Sequence, residues 1–557
     1  AASPVGAAAS PAVTADAMTD TVKDAIVEYC LRVLQQCSLV GIDPRHVDSA
    51  DRMMMQGAVI EVIGIFDTMC AAEPAVVPRV LPEVKRLDKR SPDPADAMVS
   101  LALMRFFLRH KESIVYDLRP ALTAHFGKAL LVMYDVPLPA AETLQFCLDH
   151  QPALTEQKIL SSYFPNILKV LAWFPRTYLA EFMALLPGFI TDGTCVEVLH
   201  TLLDLPCLSA ALEHSRTRIG AAAAAKAAAA PGAADKAGGN AAITGALLNY
   251  ILREEGGLAG TIDRLGDLYT LLGTYTASPR VRTTADVVPL LLRSYFDTVR
   301  RDAPYALVQQ VVTVMLERIL SIFDVEGYAA KIGAILAEYA LVLFEAHPQL
   351  LIDQQKELLE LVNNRAAVTK GREEFFIHVV WLLGEYAGSP LDPRSTPELT
   401  DRFYEVLELF AYEVDADLIK AGDGSVRFKT RLLTVLISAL GKLGARCQDL
   451  IPRVILCLTK IMKRQHQATP QRLHHQQVLN RASQVASTLQ RPSVAATVLA
   501  FPYRPHDTVA RRHHDPTSSL ALLRFATSIA KQSGGGVSPD AAGTTTAAAA
   551  AAAPTLA

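Results

Sequence analysis

Ser162-Tyr-Phe-Pro-Asn-Ile-Leu-Lys-Val-Leu-Ala-Trp173-Phe-Pro175 opens a stretch that runs on through Asp204-Leu-Pro206-Cys-Leu208 to Leu212. It contains three apolar segments of helical length, Phe164–Phe174, Thr177–Ile190 and Thr194–Leu205. Pro175 follows the first, Pro187-Gly188 falls near the end of the second, and Pro206 follows the third. Proline lacks the N–H that a helix needs and clashes with the preceding turn. The apolar run is therefore cut into short rods, none of which buries its apolar face alone. Neighbouring helices must complete the core, which is the logic of a helical-repeat stack.

Composition extends this to the whole chain. The 557 residues exceed the size at which single cores stop growing, and half of them are hydrophobic while a fifth are charged. Leu and Ala dominate, and alternating β-branched runs joined by Asn-Gly or Asp-Gly turns are almost absent. The expected fold is all-α: a HEAT/armadillo-like α-solenoid of stacked antiparallel helix pairs, each pair about 35 to 45 residues long. The formal net charge of −3 speaks against non-specific nucleic-acid binding by the chain as a whole. The eight cysteines form no CxxC pair and sit mostly inside apolar helical patterns, as buried free thiols in a reducing compartment do. With no signal peptide and no uncharged apolar run of about 18 residues, the expectation is a soluble, cytosolic chain. It opens on Ala rather than Met, as a fragment of a longer protein would.

Punctuation then divides the chain. Residues 1–20 are rich in Ala, Ser, Pro and Thr and read as disordered. Block one, 21–215, begins with an amphipathic helix that places Ile26, Tyr29, Cys30, Val33 and Leu34 on one face. The Ala/Gly-rich segment 216–240 reads as a tether or surface insertion. Block two, 241–531, resumes the helical pattern, with the more polar Gln471–Gln490 as a capping helix, and 532–557 is a low-complexity tail.

No catalytic motif emerges. Gly127-Lys128 and Gly441-Lys442 are followed by Ala and Leu, so neither belongs to a phosphate loop, and GxSxG and HExxH are missing. Six of the fourteen histidines fall between His466 and His514, but adjacent helical histidines point about 100° apart and do not readily share one ion. No metal or cofactor is therefore expected. The same region is basic: Lys460, Lys463, Arg464, Arg472, Arg481, Arg491, Arg504, Arg511 and Arg512 face a single acidic residue, Asp507. Such a patch suits an acidic lipid head group, an acidic partner or nucleic acid, with a solvated helix face as the plain alternative. Lys463, Arg464, Arg511 and Arg512 are the candidate contacts.

Trp381-Leu-Leu-Gly384-Glu385-Tyr386 resembles the Trp-x-x-Gly-Glu-Tyr signature in the trunks of adaptor-complex large subunits. Trp381 and Glu385 lie one turn apart on one face, and Gly384 leaves room for a close helix neighbour. Four blocks in order, Phe164–Trp173, Glu181–Pro187, Leu199–Leu208 and Gln448–Arg453, are similar to the zeta large subunits of the fifth adaptor-protein complex. The resemblance covers about 21–531. It implies a non-enzymatic trunk that assembles with a second large (beta), a medium (mu) and a small (sigma) subunit. It further implies association with spatacsin and spastizin, clathrin independence, and peripheral attachment to late endosomes and lysosomes. The structural signature residues are then Trp381, Gly384, Glu385 and Tyr386, with Trp173, Pro187 and Pro206 shaping block one. Family members carry a longer N-terminal trunk, and the Ala/Gly tracts are not family features. Two alternatives compete: a nucleic-acid (DNA repair) factor, motivated by the basic 460–512 segment, and another HEAT-repeat transport scaffold.

Overall fold

The computed structural model describes residues 20–37, 49–88, 97–228, 248, 251–252, 265–364, 372–388, 392, 394–420, 426–468 and 473–499. Among these there are helices and turns and no strand. The 1–20 segment up to its last residue, residues 229–240 of the Ala/Gly-rich tract, Arg511, Arg512 and the 532–557 tail lie outside the described residues. The chain parts into two compact units, one formed by 1–314 with 321–332 and the other by 315–320 with 333–557.

The first unit opens with α1 (Asp20–Cys37), α2 (Ser49–Ala72), α3 (Val77–Asp88) and α4 (Ala97–Arg109). Next, α5 (Arg119–Ala124) and α6 (Leu130–Met133) are joined through a π-turn, His125–Ala129. Then come α7 (Pro137–Asp149), α8 (Gln151–Glu156), α9 (Ile159–Trp173), α10 (Leu179–Phe189), α11 (Cys195–Leu203) and α12 (Leu205–Ala228). After the Ala/Gly tract follow α13 (Leu265–Leu272) and α14 (Pro279–Asp302). α9 is the core rod: Leu160, Phe164, Ile167, Leu168, Val170 and Leu171 are buried against α10 and α12. Pro165 sits inside α9 and Pro187 inside the last turn of α10, so these two prolines do not break their helices as a simple proline rule predicts. A π-turn exposes a carbonyl to capture, and the Asn166 amide, one residue past Pro165, donates to Phe126 O at 2.9 Å. Pro206 lies in the first turn of α12, where a missing N–H costs little, at a 64° bend from α11.

In α1 the buried positions are Val27, Cys30 and Leu34, whereas Tyr29, expected on the core face, is 69% exposed. Contrary to expectation, one helix is long and apolar enough to cross a membrane by length and composition, Ala50–Ala72 in α2. Asp67 within it holds Arg109 at 2.6 Å and His110 at 2.9 Å, and Val59, Val62, Ile63 and Phe66 are buried, while Met53, Met54 and Ile65 are exposed.

The sequence division at 216–240 and the structural division do not coincide. Helix α12 runs into the Ala tract as far as Ala228, and α14, on its far side, packs on α10, α11 and α12. Polar links cross the same way: Tyr295 Oη donates to Cys195 O (2.9 Å), Tyr328 Oη to Leu203 O (2.8 Å) and Tyr269 Oη to Asp204 Oδ1 (2.5 Å). Arg280 meets Glu213 at 2.9 Å. Residues on both sides of the tract thus share one core.

α15 (Tyr305–Arg318) and α16 (Tyr328–Ala346) pass from the first unit's residues into the second's. The second unit continues with α17 (Leu350–Asp353), α18 (Gln355–Asn363), α19 (Glu373–Tyr386) and α20 (Pro397–Lys420). It ends with α21 (Val426–Arg446), α22 (Ile451–Ala468), α23 (Leu473–Leu489) and α24 (Pro492–Val498). α21 is its central helix, packed on α19, α20, α22 and α23. Three small residues make this possible: Ala439 faces Gly384 of α19, Gly441 lies under Val485 of α23, and Gly444 lies against Val454 of α22. α23, expected as a polar cap, buries an apolar face of Val478, Leu479, Ala482, Val485 and Leu489 and is followed by α24.

Candidate functional site

The Trp-x-x-Gly-Glu-Tyr segment closes α19, where a helix leaves its last carbonyls without intrahelical donors and carries partial negative charge. Gly384 faces Ala439 so closely that a β-carbon built on it would lie 2.6 Å from both Ala439 Cα and Cβ. That approach brings the Arg446 side chain of α21 to the α19 terminus, where Nη1 donates to Gly384 O at 2.9 Å and to Ala387 O at 2.5 Å. Burial lowers the Arg446 pKa to about 10, with Glu385 and Tyr386 opposing, so it remains cationic at neutral pH. Glu385, itself buried, accepts from Lys442 Nζ, which also lies 5.3 Å from the centre of the Trp381 ring. Burial pushes the Lys442 ammonium below its usual value against the pull of Glu385. Tyr386 meets Trp381 edge-on at 6.4 Å, and burial drives its phenol well above the usual range. The signature residues therefore form a clamp: the glycine admits α21, the tryptophan and glutamate hold its lysine, Tyr386 packs on the tryptophan, and the buried carbonyls of the helix end take its arginine. Sequence reasoning missed the other half, Ala439, Lys442 and Arg446. Its signal is the i, i+3, i+7 spacing of two cations on an otherwise apolar helical face.

Trp173, at the end of α9, is the centre of a second clamp. The Arg280 guanidinium lies 3.7 Å over its ring, Arg216 5.8 Å away, and Tyr134 edge-on at 5.7 Å. Arg280 and Ser278 Oγ both donate to Glu213 Oε1 at 2.9 Å. Pro187 lies in the last turn of α10 and Pro206 in the first turn of α12, apart from both clamps.

Among the described residues of the basic segment, Arg464 and Arg481 are drawn onto neighbouring groups. Just before it, Arg453 is drawn onto α20, reaching Asp401 (3.0 Å) and Glu408 (3.2 Å) and lying over Tyr404. Arg464 pairs at 3.2 Å with Asp415, a fully buried carboxylate whose pKa burial raises against Gln465 and Arg464. Gln465 Nε2 donates to Asp415 Oδ1 at 2.5 Å and its carbonyl meets His475 Nδ1, so that this histidine belongs to a core network. Arg481 donates to Ser438 Oγ at 2.8 Å. Lys463 is exposed and makes no ion pair among the described residues. No group of three His, Cys, Asp or Glu side chains among the described residues is placed to hold a metal ion. All eight cysteines are free thiols, six of them buried.

Paired helices linked by cation clamps at Trp173 and Trp381 define a helical-repeat scaffold. A family profile described as AP-5 complex subunit zeta-1, C-terminal TPR repeats, matches residues 181–529. A second, described as AP-5 complex subunit, vesicle trafficking, matches 54–169. The AP-5 complex subunit zeta-1 of Homo sapiens is 31% identical over 538 residues, 93% of this chain and 64% of the relative. That of Mus musculus is 31% identical over 545 residues, 92% and 64% respectively. The chain belongs to the AP-5 complex subunit zeta-1 family. It spans 64% of the length of these relatives, and no solved structure matches it.

Proposed function

We propose that this chain acts as a non-enzymatic large subunit of a heterotetrameric adaptor complex in vesicle-mediated protein transport. The observation that carries this is the pair of family matches, which together span most of residues 54–529. The partners are a second large (beta), a medium (mu) and a small (sigma) subunit, with spatacsin and spastizin as further associates. The complex works without clathrin, peripherally on the cytoplasmic face of late endosomes and lysosomes. The signature residues serve it by stiffening the trunk: a repeat scaffold presents partner surfaces at fixed spacing only if its helix seams do not slide. The domain arrangement goes with it: the tract at 216–240 is an insertion into the trunk, not a hinge between blocks. Lys463 is retained as a partner contact, while Arg464 serves the buried Asp415. The nucleic-acid alternative is disfavoured at Arg464 and Arg481, two cations of the 460–512 segment that are paired with Asp415 and Ser438.

Affinity purification of the tagged chain from cytosol, with stable partners identified by mass spectrometry, tests this. Recovery of a second large subunit with medium and small chains is the expected result. Recovery of nucleic-acid factors without them refutes it.

A further inference from the structure

α21 and α23 contain no Asp or Glu between them, yet they carry six Lys and Arg residues. Other helices answer most of these cations. Lys429 meets Asp417 at 3.6 Å, Arg431 meets Glu374 at 2.6 Å, Lys442 meets Glu385, and Arg446 donates to the α19 carbonyls. Arg427 is exposed to water. Arg481 is different: it is half-buried, and no carboxylate among the described residues pairs with it. A guanidinium drawn out of water without a counter-charge weakens the folded state, and burial lowers its pKa here with nothing opposing.

Arg481 is also held in place. Ser438 lies beside it, Gly441 beside Val485 and Gly444 beside Leu489, so α21 and α23 run parallel and in step. Ser438 Oγ donates to Thr434 O at 2.7 Å and accepts from Arg481 Nε at 2.8 Å. That anchors the guanidinium by its inner N–H, while Nη1 and Nη2 make no hydrogen bond among the described residues and reach solvent. Lys442 follows Ser438 by one turn on the same row of α21. Burial lowers its pKa first, Glu385 opposes, and the Arg446 and Arg481 charges lower it further, so Lys442 and Arg481 share one field. Gln477 and Gln484, exposed one turn to either side of Arg481, add uncharged amide donors. A fixed fork with its outer edge open, an ammonium nearby and no counter-ion together suit an anion with more than one charge. A phosphate monoester carries about −1.5 to −2 at pH 7 and offers three acceptor oxygens, whereas a carboxylate carries a single charge on two oxygens.

We propose that the α21–α23 seam binds a phosphate monoester, Arg481 grasping two of its oxygens through Nη1 and Nη2 and Lys442 supplying a second positive charge. The assignment is independent of the trafficking role, since it rests only on this seam. A lipid head group and a soluble metabolite bring the same phosphate chemistry, and the test separates them.

Isothermal titration of the full chain with glycerol 3-phosphate at fixed ionic strength is expected to show saturable binding. Arg481→Gln weakens it about tenfold or more, and Arg481→Lys, which keeps the charge and loses the fork, weakens it severalfold. Arg431→Gln, at a cation of α21 already paired with Glu374, leaves it unchanged. An unchanged Tm verifies that the variants are folded, and Arg481→Lys keeps the test intact where Arg481→Gln lowers Tm. Cosedimentation with phosphatidic acid vesicles identifies the source. Arg481-dependent retention assigns a lipid head group, and binding of glycerol 3-phosphate without retention assigns a soluble phosphate. Absence of binding in both assays overturns the proposal, as does an affinity that the Arg481 variants leave unchanged. Equal affinity for succinate assigns the seam to carboxylates and overturns it too. Arg481-dependent capture of an oligonucleotide, without binding of glycerol 3-phosphate, assigns it to nucleic acid and overturns it equally.

Discussion

Replacing Gly384 by alanine adds a single methyl group at the tightest seam of the second unit. The new carbon would stand 2.6 Å from two carbons of Ala439, one of them backbone. Carbon atoms in ordinary contact are about 3.5–4.0 Å apart, so α19 and α21 must separate by about 1 Å or bend locally. Overpacking of this kind costs roughly 1–3 kcal/mol, while alanine in place of a helical glycine returns about 1 kcal/mol. The balance of these two runs from about zero to a loss of about 2 kcal/mol, and it falls on the side of loss because the Arg446 bonds and the Glu385–Lys442 pair span the same seam and lengthen with it. Gly384→Leu is expected to lose more. Gly64 of α2 provides the internal comparison, since a β-carbon there meets nothing within 4 Å. Gly64→Ala should stabilise by about 0.5–1 kcal/mol through helix propensity alone. Thermal and urea unfolding of both variants should therefore give shifts of opposite sign. Ala439→Gly on the Gly384→Ala background should recover part of the loss and not all, because the backbone at 439 still crowds the added methyl. If Gly384→Ala raises Tm as Gly64→Ala does, the two helices do not touch there and the clamp is wrongly drawn.

Arg446→Met leaves two buried carbonyls at the α19 terminus without their donor, and a loss of about 2 kcal/mol or more is expected in urea unfolding; Arg446→Lys should recover only a minor part, because an ammonium lacks the planar fork. His125, buried in the π-turn beside Thr143, has its pKa lowered to about 4 by burial. Its folded value lies below the unfolded 6.5, so its contribution is complete above pH 6.5 and is lost as pH falls toward 4, in all by about 3 kcal/mol. His125→Gln should remove that slope from the pH profile of unfolding, and an unchanged slope refutes the assignment. Excising 229–247 and rejoining the chain with a short Gly/Ser linker should leave Tm unchanged, since α12 and α14 are linked directly through Glu213–Arg280; a lowered Tm would show that the tract contributes to the core.

Much of the helical order is legible because apolar spacing and proline position act locally. Pro279 and Pro397 open α14 and α20, and Trp173 closes α9 just ahead of Pro175. The local rule fails where a distant group supplies what proline removes or what a bent helix frees. The π-turn is answered in this way, because Asn166 reaches across to Phe126 O, forty residues away. The buried face of α1 escapes the local rule for a related reason: Tyr29 satisfies the helical period, but burial depends on which side α2 covers, and the spacing of one helix does not say.

Charge is less legible than hydrophobicity, and the cause is geometric. Counting Lys and Arg between 460 and 512 makes a patch only if every cation points outward. Long side chains on a repeat helix have another use, which is to reach sideways into the neighbouring pair and neutralise or cap what that pair has buried. Arg446 caps α19 and Arg464 answers Asp415, while Lys442 lies between Trp381 and Glu385. In each case the partner is distant in sequence and lies on another helix of the stack. The same inward use of cations gives the hexapeptide its sense. Glycine at 384 is required because α21 passes so close at Ala439, backbone included, and glutamate at 385 answers the lysine at 442. Residues that look like a motif of one helix are half of a contact between two.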